Sequence, residues 1–220
     1  MTDEPIVAVR GEVFREVDPE LAELGVTVAA RDKDRQTTLT RLTERVAALR
    51  ALLDRYADAI ERRETGAVFV RPETKRSGER VTGYAGTVST TVTVTDFTVL
   101  GELLVAVADQ DLTSVYGPSW SLRPDSPVYA EARRAAIADA FARGREYAGA
   151  VGARVVRLLE LTDTGLGSGG APPVRPMAFA AQTRGVASYE AAPAFDLEPQ
   201  RQQVRASVEA RFAISEVAVD

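Results

Sequence analysis

The chain has 220 residues, with 27 Lys and Arg against 32 Asp and Glu for a net charge of −5, and neither histidine nor cysteine. Those absences exclude disulfides, thiolate nucleophiles, cysteine- or histidine-held metals and an imidazole general base, leaving carboxylates, Lys33, Lys75, tyrosines and hydroxyls for any chemistry. The acidic balance argues against a polyanion binder, so no nucleic-acid partner is expected, and 45% hydrophobic residues over this length support a packed core.

The opening MTDEPIVAVRGEVF has no basic n-region and no continuous apolar h-region, which reads as a cytoplasmic start without a secretory signal. Residues 5–30 alternate in two pieces: Val7, Val9, Val13 and Val17, then Leu24, Val26, Val28 and Ala30. With Asp18-Pro19-Glu20 between them, two half-buried strands forming a hairpin are expected. From Thr38 the period changes, and Leu39, Leu42, Val46, Leu49, Leu53, Tyr56 and Ile60 predict a long amphipathic helix capped by Thr37 or Thr38 and laid on a sheet.

A strand over 67–73 and a polar turn over 71–80 lead into VTGYAGTVSTTVTVT, whose Tyr84, Val88, Val92 and Val94 form one face and whose threonines form the other. Asp96 caps a predicted helix carrying Phe97, Leu100, Leu103, Leu104 and Val107. The apolar run over 99–108 is too short to span a bilayer and includes Glu102. A strand over 113–122, a helix over 129–152 introduced by PDSP, and a strand over 153–163 follow. Residues 164–200 are Gly/Pro/Ala-rich without periodicity and read as a mobile loop or wrapping arm, before a final strand over 203–216. The sum is one α+β domain over 1–220, its sheet largely antiparallel with three main helices on one face.

The helix over 129–152 is built of alanine, glycine and arginine with few large apolar groups. Ala136, Ile137, Ala140, Gly144, Tyr147, Ala148 and Val151 fall on one side, and Ala136, Ala140, Gly144 and Ala148 make it smooth enough for main chain to approach main chain. A mid-helix glycine costs about 1 kcal/mol against alanine, a cost explained if a larger side chain clashes there.

Candidate chemistry is thin. Asp32-Lys33-Asp34 and Asp109-Gln110-Asp111 lack the glycine and glutamate a calcium loop needs, having Thr37 and Thr43, then Ser114 and Trp120, in those places. GLGSGG at 165–170 follows a strand, but APPVRP after it forbids the helix a phosphate loop requires. Arg71, Lys75, Arg76 and Arg80 cluster on one predicted turn as a candidate docking site for an acidic partner or phosphate. Tyr116 and Trp120 flank Gly117-Pro118 and read as core or interface. No metal or cofactor is expected.

Four stretches, VRGEVFREVDPELAELGVTV, RVTGYAGTVSTTVTVTDFTVLGELL, EARRAAIADAFARGREYAGAVG and QVRASVEARFAI, together resemble the bacterial SIMPL-domain family in that family's order, with Pro19-Glu20 standing where the family usually has Pro-Asp. The resemblance implies an α+β fold that assembles into rings or larger homo-oligomers, often in the bacterial envelope and linked to stress tolerance. It supplies no catalytic residues to carry over. The reading is therefore a non-catalytic, self-associating cytoplasmic protein that also meets a protein partner. Its alternatives are a small-molecule or anion binder with the 164–200 arm as a lid, and a carboxylate-dependent enzyme.

Overall fold

The computed structural model describes residues 4–74, 80–163, 195 and 197–217. In chain order these form β1 (Ile6–Val17), β2 (Leu21–Asp32), α1 (Arg35–Asp54), β3 (Ile60–Thr74), β4 (Val81–Val94), a 3₁₀ turn (Phe97–Val99) running into α2 (Leu100–Ala108), β5 (Thr113–Ser121), α3 (Pro127–Ala150), β6 (Val155–Asp163) and β7 (Gln202–Ile214). Every strand pairing is antiparallel, and the protein is α+β. The strands are divided between two sheets, in the orders β1-β7-β6 and β3-β4-β2-β5. Two compact units follow, one of β1, α3, β6 and β7, the other of β2 to β5 with α1 and α2.

This division corrects the hairpin expected over residues 5–30. A strand has two edges, and both edges of β2 are taken, by β4 and by β5. β1 therefore pairs elsewhere, with β7, from Ile6 opposite Ala213 to Val17 opposite Gln202. Asp18-Pro19-Glu20 separates two sheets; it does not turn one strand back on its neighbour. The helices divide likewise, α1 and α2 packing in the four-stranded unit and α3 on β1 and β7.

In the four-stranded unit, Ala22, Leu24, Val26, Val28 and Ala30 of β2 alternate into a core with Val88, Val92 and Val94, closed by Leu42, Leu49, Leu52 and Leu53 of α1 and Leu100, Leu103 and Val107 of α2. Each fully buried Val or Leu contributes about 1.5–3 kcal/mol relative to exposure. The helical stripe read as far as Ile60 stops earlier: α1 ends at Asp54, and Tyr56 and Ile60 reach the same core from a turn and from the start of β3. Its cap is Asp34, three residues before Thr37, whose amide donates to the Asp34 carboxylate at 2.8 Å; Thr38 is buried and donates its hydroxyl to the Asp34 carbonyl. Asp96 caps the next helical turn through the Thr98 amide at 2.9 Å and hydroxyl at 2.6 Å. Both carboxyls are held below the ordinary aspartate range, by the Thr37 amide for Asp34 and by the Thr98 hydroxyl for Asp96.

Candidate interaction surfaces

α3 begins as its sequence dictates, with Ser126 as N-cap and Pro127 in the first turn, where its missing N–H costs nothing. Ala132, Ala136, Ala140, Gly144 and Ala148 are its buried residues, so the four small residues of the predicted face all lie against the sheet. Tyr147 and Val151, read on that side, are instead about half exposed, at 53% and 47%. The surface beneath explains the demand for small residues. A Cβ on Gly11 of β1 would stand 2.1 Å from the Ala136 carbonyl oxygen and 2.5 Å from the Ala140 nitrogen, and a Cβ on Gly144 would stand 2.8 Å from the Phe212 ring of β7. Phe212 is fully buried and meets Phe141 edge to face at 4.9 Å. Gly11 escaped the sequence reading, although a glycine inside an alternating strand marks a close backbone approach.

So near an approach brings α3 to the rim of the sheet. Asp139 accepts the Glu12 amide of β1 at 2.9 Å and pairs with Arg143 at 2.8 Å. Glu131 pairs with Arg15 of β1 at 3.2 Å. β1 is an edge strand, so this carboxylate occupies an amide that another strand would need.

The opposite edge, β6, differs. Val156 is 64% exposed, Leu158 39%, Leu159 37% and Leu161 41%. Two bulges interrupt its pairing with β7, between Val155 and Arg157 and between Leu158 and Glu160. In the other sheet, the edge strand β3 exposes Val68 and Phe69 but carries Pro72 and three register shifts, and the edge strand β5 contains Pro118, which has no N–H. The face of the three-stranded sheet away from α3 is largely polar: Arg10 pairs with Glu209 at 2.9 Å and Arg211 with Glu160 at 3.6 Å around a shallow cavity of about 290 Å³, and Arg205 pairs with Glu12 at 3.4 Å and lies over the exposed Phe14 ring. A second cavity, about 280 Å³, lies beside α1 and is lined by Val46, Leu49, Arg50, Arg63 and Thr90; Arg63 is held there by Asp54 at 2.5 Å and by the Leu53 carbonyl.

The basic cluster is only partly described. Arg71 and Arg80 are exposed, while Lys75 and Arg76 lie outside the described residues, as do GLGSGG and most of the 164–200 arm. Next to Arg71, Glu73 pairs with Arg31 and raises its pKa, so the turn is not uniformly positive. Three of the four paired aspartates are structural: Asp32 binds Arg41 at 2.9 Å, Asp34 caps α1, and Asp111 binds Arg45 at 3.1 Å. Trp120 packs edge to face on Phe97 at 4.9 Å, whereas Tyr116 is 78% exposed. Among the described residues, no three acidic side chains gather as a metal site, and no helix is long and apolar enough to cross a membrane.

The family model SIMPL, described as a protein of unknown function (DUF541), matches residues 7–212. The 26 kDa periplasmic immunogenic proteins of Brucella melitensis biotype 1 and Brucella abortus strain S19 are each 30% identical to this chain over 178 residues, covering 74% of it and 68% of their own length. A solved chain from Burkholderia cenocepacia, assigned as an amidohydrolase/peptidase, shares 16% identity over 60% of this chain and 34% of its own; its TM-score of 0.26 carries no argument. The Brucella names overturn the cytoplasmic expectation, since both relatives are periplasmic. A cysteine-free acidic composition suits either compartment, and the residues at the start of the sequence do not decide between them. With the match running from β1 to β7 and these relatives alongside, the chain belongs to the SIMPL family, whose biochemical function is unknown.

Proposed function

We propose that this protein is a non-catalytic, self-associating component of the bacterial envelope. The observation that carries the reading is the inequality of the two edges of the three-stranded sheet: α3 occupies an amide of β1, while β6 presents exposed Val156, Leu158, Leu159 and Leu161. Among the described residues no strand pairs with the outer edge of β6, and an open, apolar edge strand is a template for pairing with another chain. Among the described residues, the carboxyls whose ionisation shifts, Asp34, Asp96 and Glu61, all shift downward, through the Thr37 amide, the Thr98 hydroxyl and Arg123 respectively. That suits caps and ion pairs and is the wrong direction for proton transfer near neutral pH. The envelope assignment is taken from the periplasmic Brucella relatives. Light scattering coupled to size exclusion tests the assembly: a mass of at least twice 23.7 kDa is expected at micromolar concentration, and a single-chain mass overturns it.

A further inference from the structure

The cavity beside α1 has two unlike ends. α1 packs mainly over β2 and β4 and leaves the helix-facing side of the outer strand β3 largely uncovered, so a cleft opens between the helix flank and that strand. Along α1 its wall is one stripe at three- and four-residue spacing, from Val46 through Leu49 and Arg50 to Leu53 and Asp54. On the sheet side Thr65 of β3 stands opposite Thr90 of β4, with Arg63 two residues earlier on the same face. At the Arg63 end, Arg50 and Arg63 stand against a single lining acid, Asp54. Toward the other end the wall is Val46 and Leu49. Val68, 59% exposed, continues it, because its partner Val88 lies two residues from Thr90 on the same side of the sheet.

We propose that this cleft binds a small aliphatic carboxylate, its head on Arg50 and Arg63 and its chain along Val46 and Leu49 toward Val68. The site is independent of the self-association proposed above. Its donors are in place and only partly used. Asp54 takes one Arg63 N–H at 2.5 Å and the Leu53 carbonyl another at 3.2 Å, which fixes a guanidinium that has five. Among the described residues, Arg50 forms no ion pair and the Thr65 and Thr90 hydroxyls make no hydrogen bond. Two guanidinium groups against one carboxylate leave the lining positive on a chain of net charge −5, so the cleft draws an anionic head and repels a cationic one. A guanidinium fork matches the two oxygens of a carboxylate, and an arginine already held in position loses little freedom on binding. An inorganic anion would satisfy the arginines but leave Val46 and Leu49 against water, and a neutral hydrocarbon would strip water from the donors without replacing it. The volume of about 280 Å³ lies just below the usual 300–1,000 Å³ of ligand pockets, which limits the chain to a short one.

Octanoate, octylamine and acetate separate the two halves of the claim: octylamine keeps the chain and reverses the charge, and acetate keeps the charge without the chain. Each is titrated into the isotope-labelled full chain and followed through backbone amide resonances. Octanoate is expected to shift the amides of Arg63, Thr65 and Thr90 with a Kd on the order of 1 mM or tighter, the scale of about ten non-hydrogen atoms at modest ligand efficiency. Octylamine and acetate should bind there at least about tenfold more weakly, the loss expected when a charge-assisted hydrogen bond or the buried chain is missing. Arg50→Gln removes one head-group contact without breaking any described ion pair, so it should leave the unfolding midpoint unchanged and weaken octanoate about tenfold. Octylamine binding as well as octanoate would show that the cleft reads hydrocarbon alone, and acetate binding as well would show that the apolar wall is idle; either overturns the proposal. So does octanoate that shifts other amides and leaves these three unmoved, or binds Arg50→Gln as tightly as the wild type. These readings use the wild-type chain and one exposed-site variant, and none depends on whether the chain associates.

Discussion

Gly11→Ala is expected to destabilise the unit built on α3 by about 3 kcal/mol or more, at or above the upper end of ordinary overpacking. The reason is the identity of the obstructing atoms. The new methyl group would stand 2.1 Å from the Ala136 carbonyl oxygen and 2.5 Å from the Ala140 nitrogen, and main-chain atoms of a helix cannot rotate away as a side chain can. α3 must move bodily off β1, which also stretches the 2.9 Å bond between Asp139 and the Glu12 amide. Denaturant melts read the effect as a lower midpoint at unchanged slope. Gly149→Ala supplies the control, because a Cβ there meets nothing within 4 Å. That variant should gain up to about 1 kcal/mol from helix propensity. If Gly11→Ala is tolerated as readily as Gly149→Ala, the close approach of α3 to β1 is wrong.

The second large effect concerns Gly144 and Phe212 together. Phe212→Ala empties a fully buried phenyl site and should cost about 3–5 kcal/mol. Gly144→Ala alone drives a methyl to 2.8 Å from that ring, so an overpacking cost of about 1–3 kcal/mol outweighs a helix-propensity gain of about 1 kcal/mol. In the Phe212→Ala background the obstacle is gone, and the same Gly144→Ala change should become neutral or stabilising. The double-mutant cycle should therefore show a coupling of about 1–3 kcal/mol. Additivity within about 0.5 kcal/mol would mean that Gly144 is small for some other reason.

The elements themselves were legible because their periodicity is local. β2 announces itself through Leu24, Val26, Val28 and Ala30, and α3 through small residues at helical spacing. Pairing partners were not legible. β1 and β2 adjoin in sequence with a turn signal between them, yet β1 finds its partner close to the other end of the chain, and nothing in either strand's alternation records that. The end of α1 was misplaced because Tyr56 and Ile60 continue the helical stripe while contributing to the same core from non-helical backbone. Gly11 carried a readable signal, a glycine in a strand, but its meaning depends on the helix above it. Asp139 carried none, since a carboxylate on the polar side of a helix looks identical whether it meets water or a strand amide. For β6 the branched apolar residues over 153–163 were read as a strand; that it is an edge, and exposed, follows only from the sheet order and the accessible surface.

The proposal to be tested is that one edge of the three-stranded sheet, where Asp139 of α3 occupies the Glu12 amide, is closed to pairing while the β6 edge is left for a second chain. Hydrogen exchange measured above and below the concentration at which the chain associates addresses it most directly. The account predicts that amides of β6, Val155–Asp163, become slower in the assembled state and lose that protection on dilution, while the Glu12 amide of β1, already bonded to Asp139, exchanges equally slowly in both. β6 exchange that does not change with concentration, in a chain whose mass does, would contradict it.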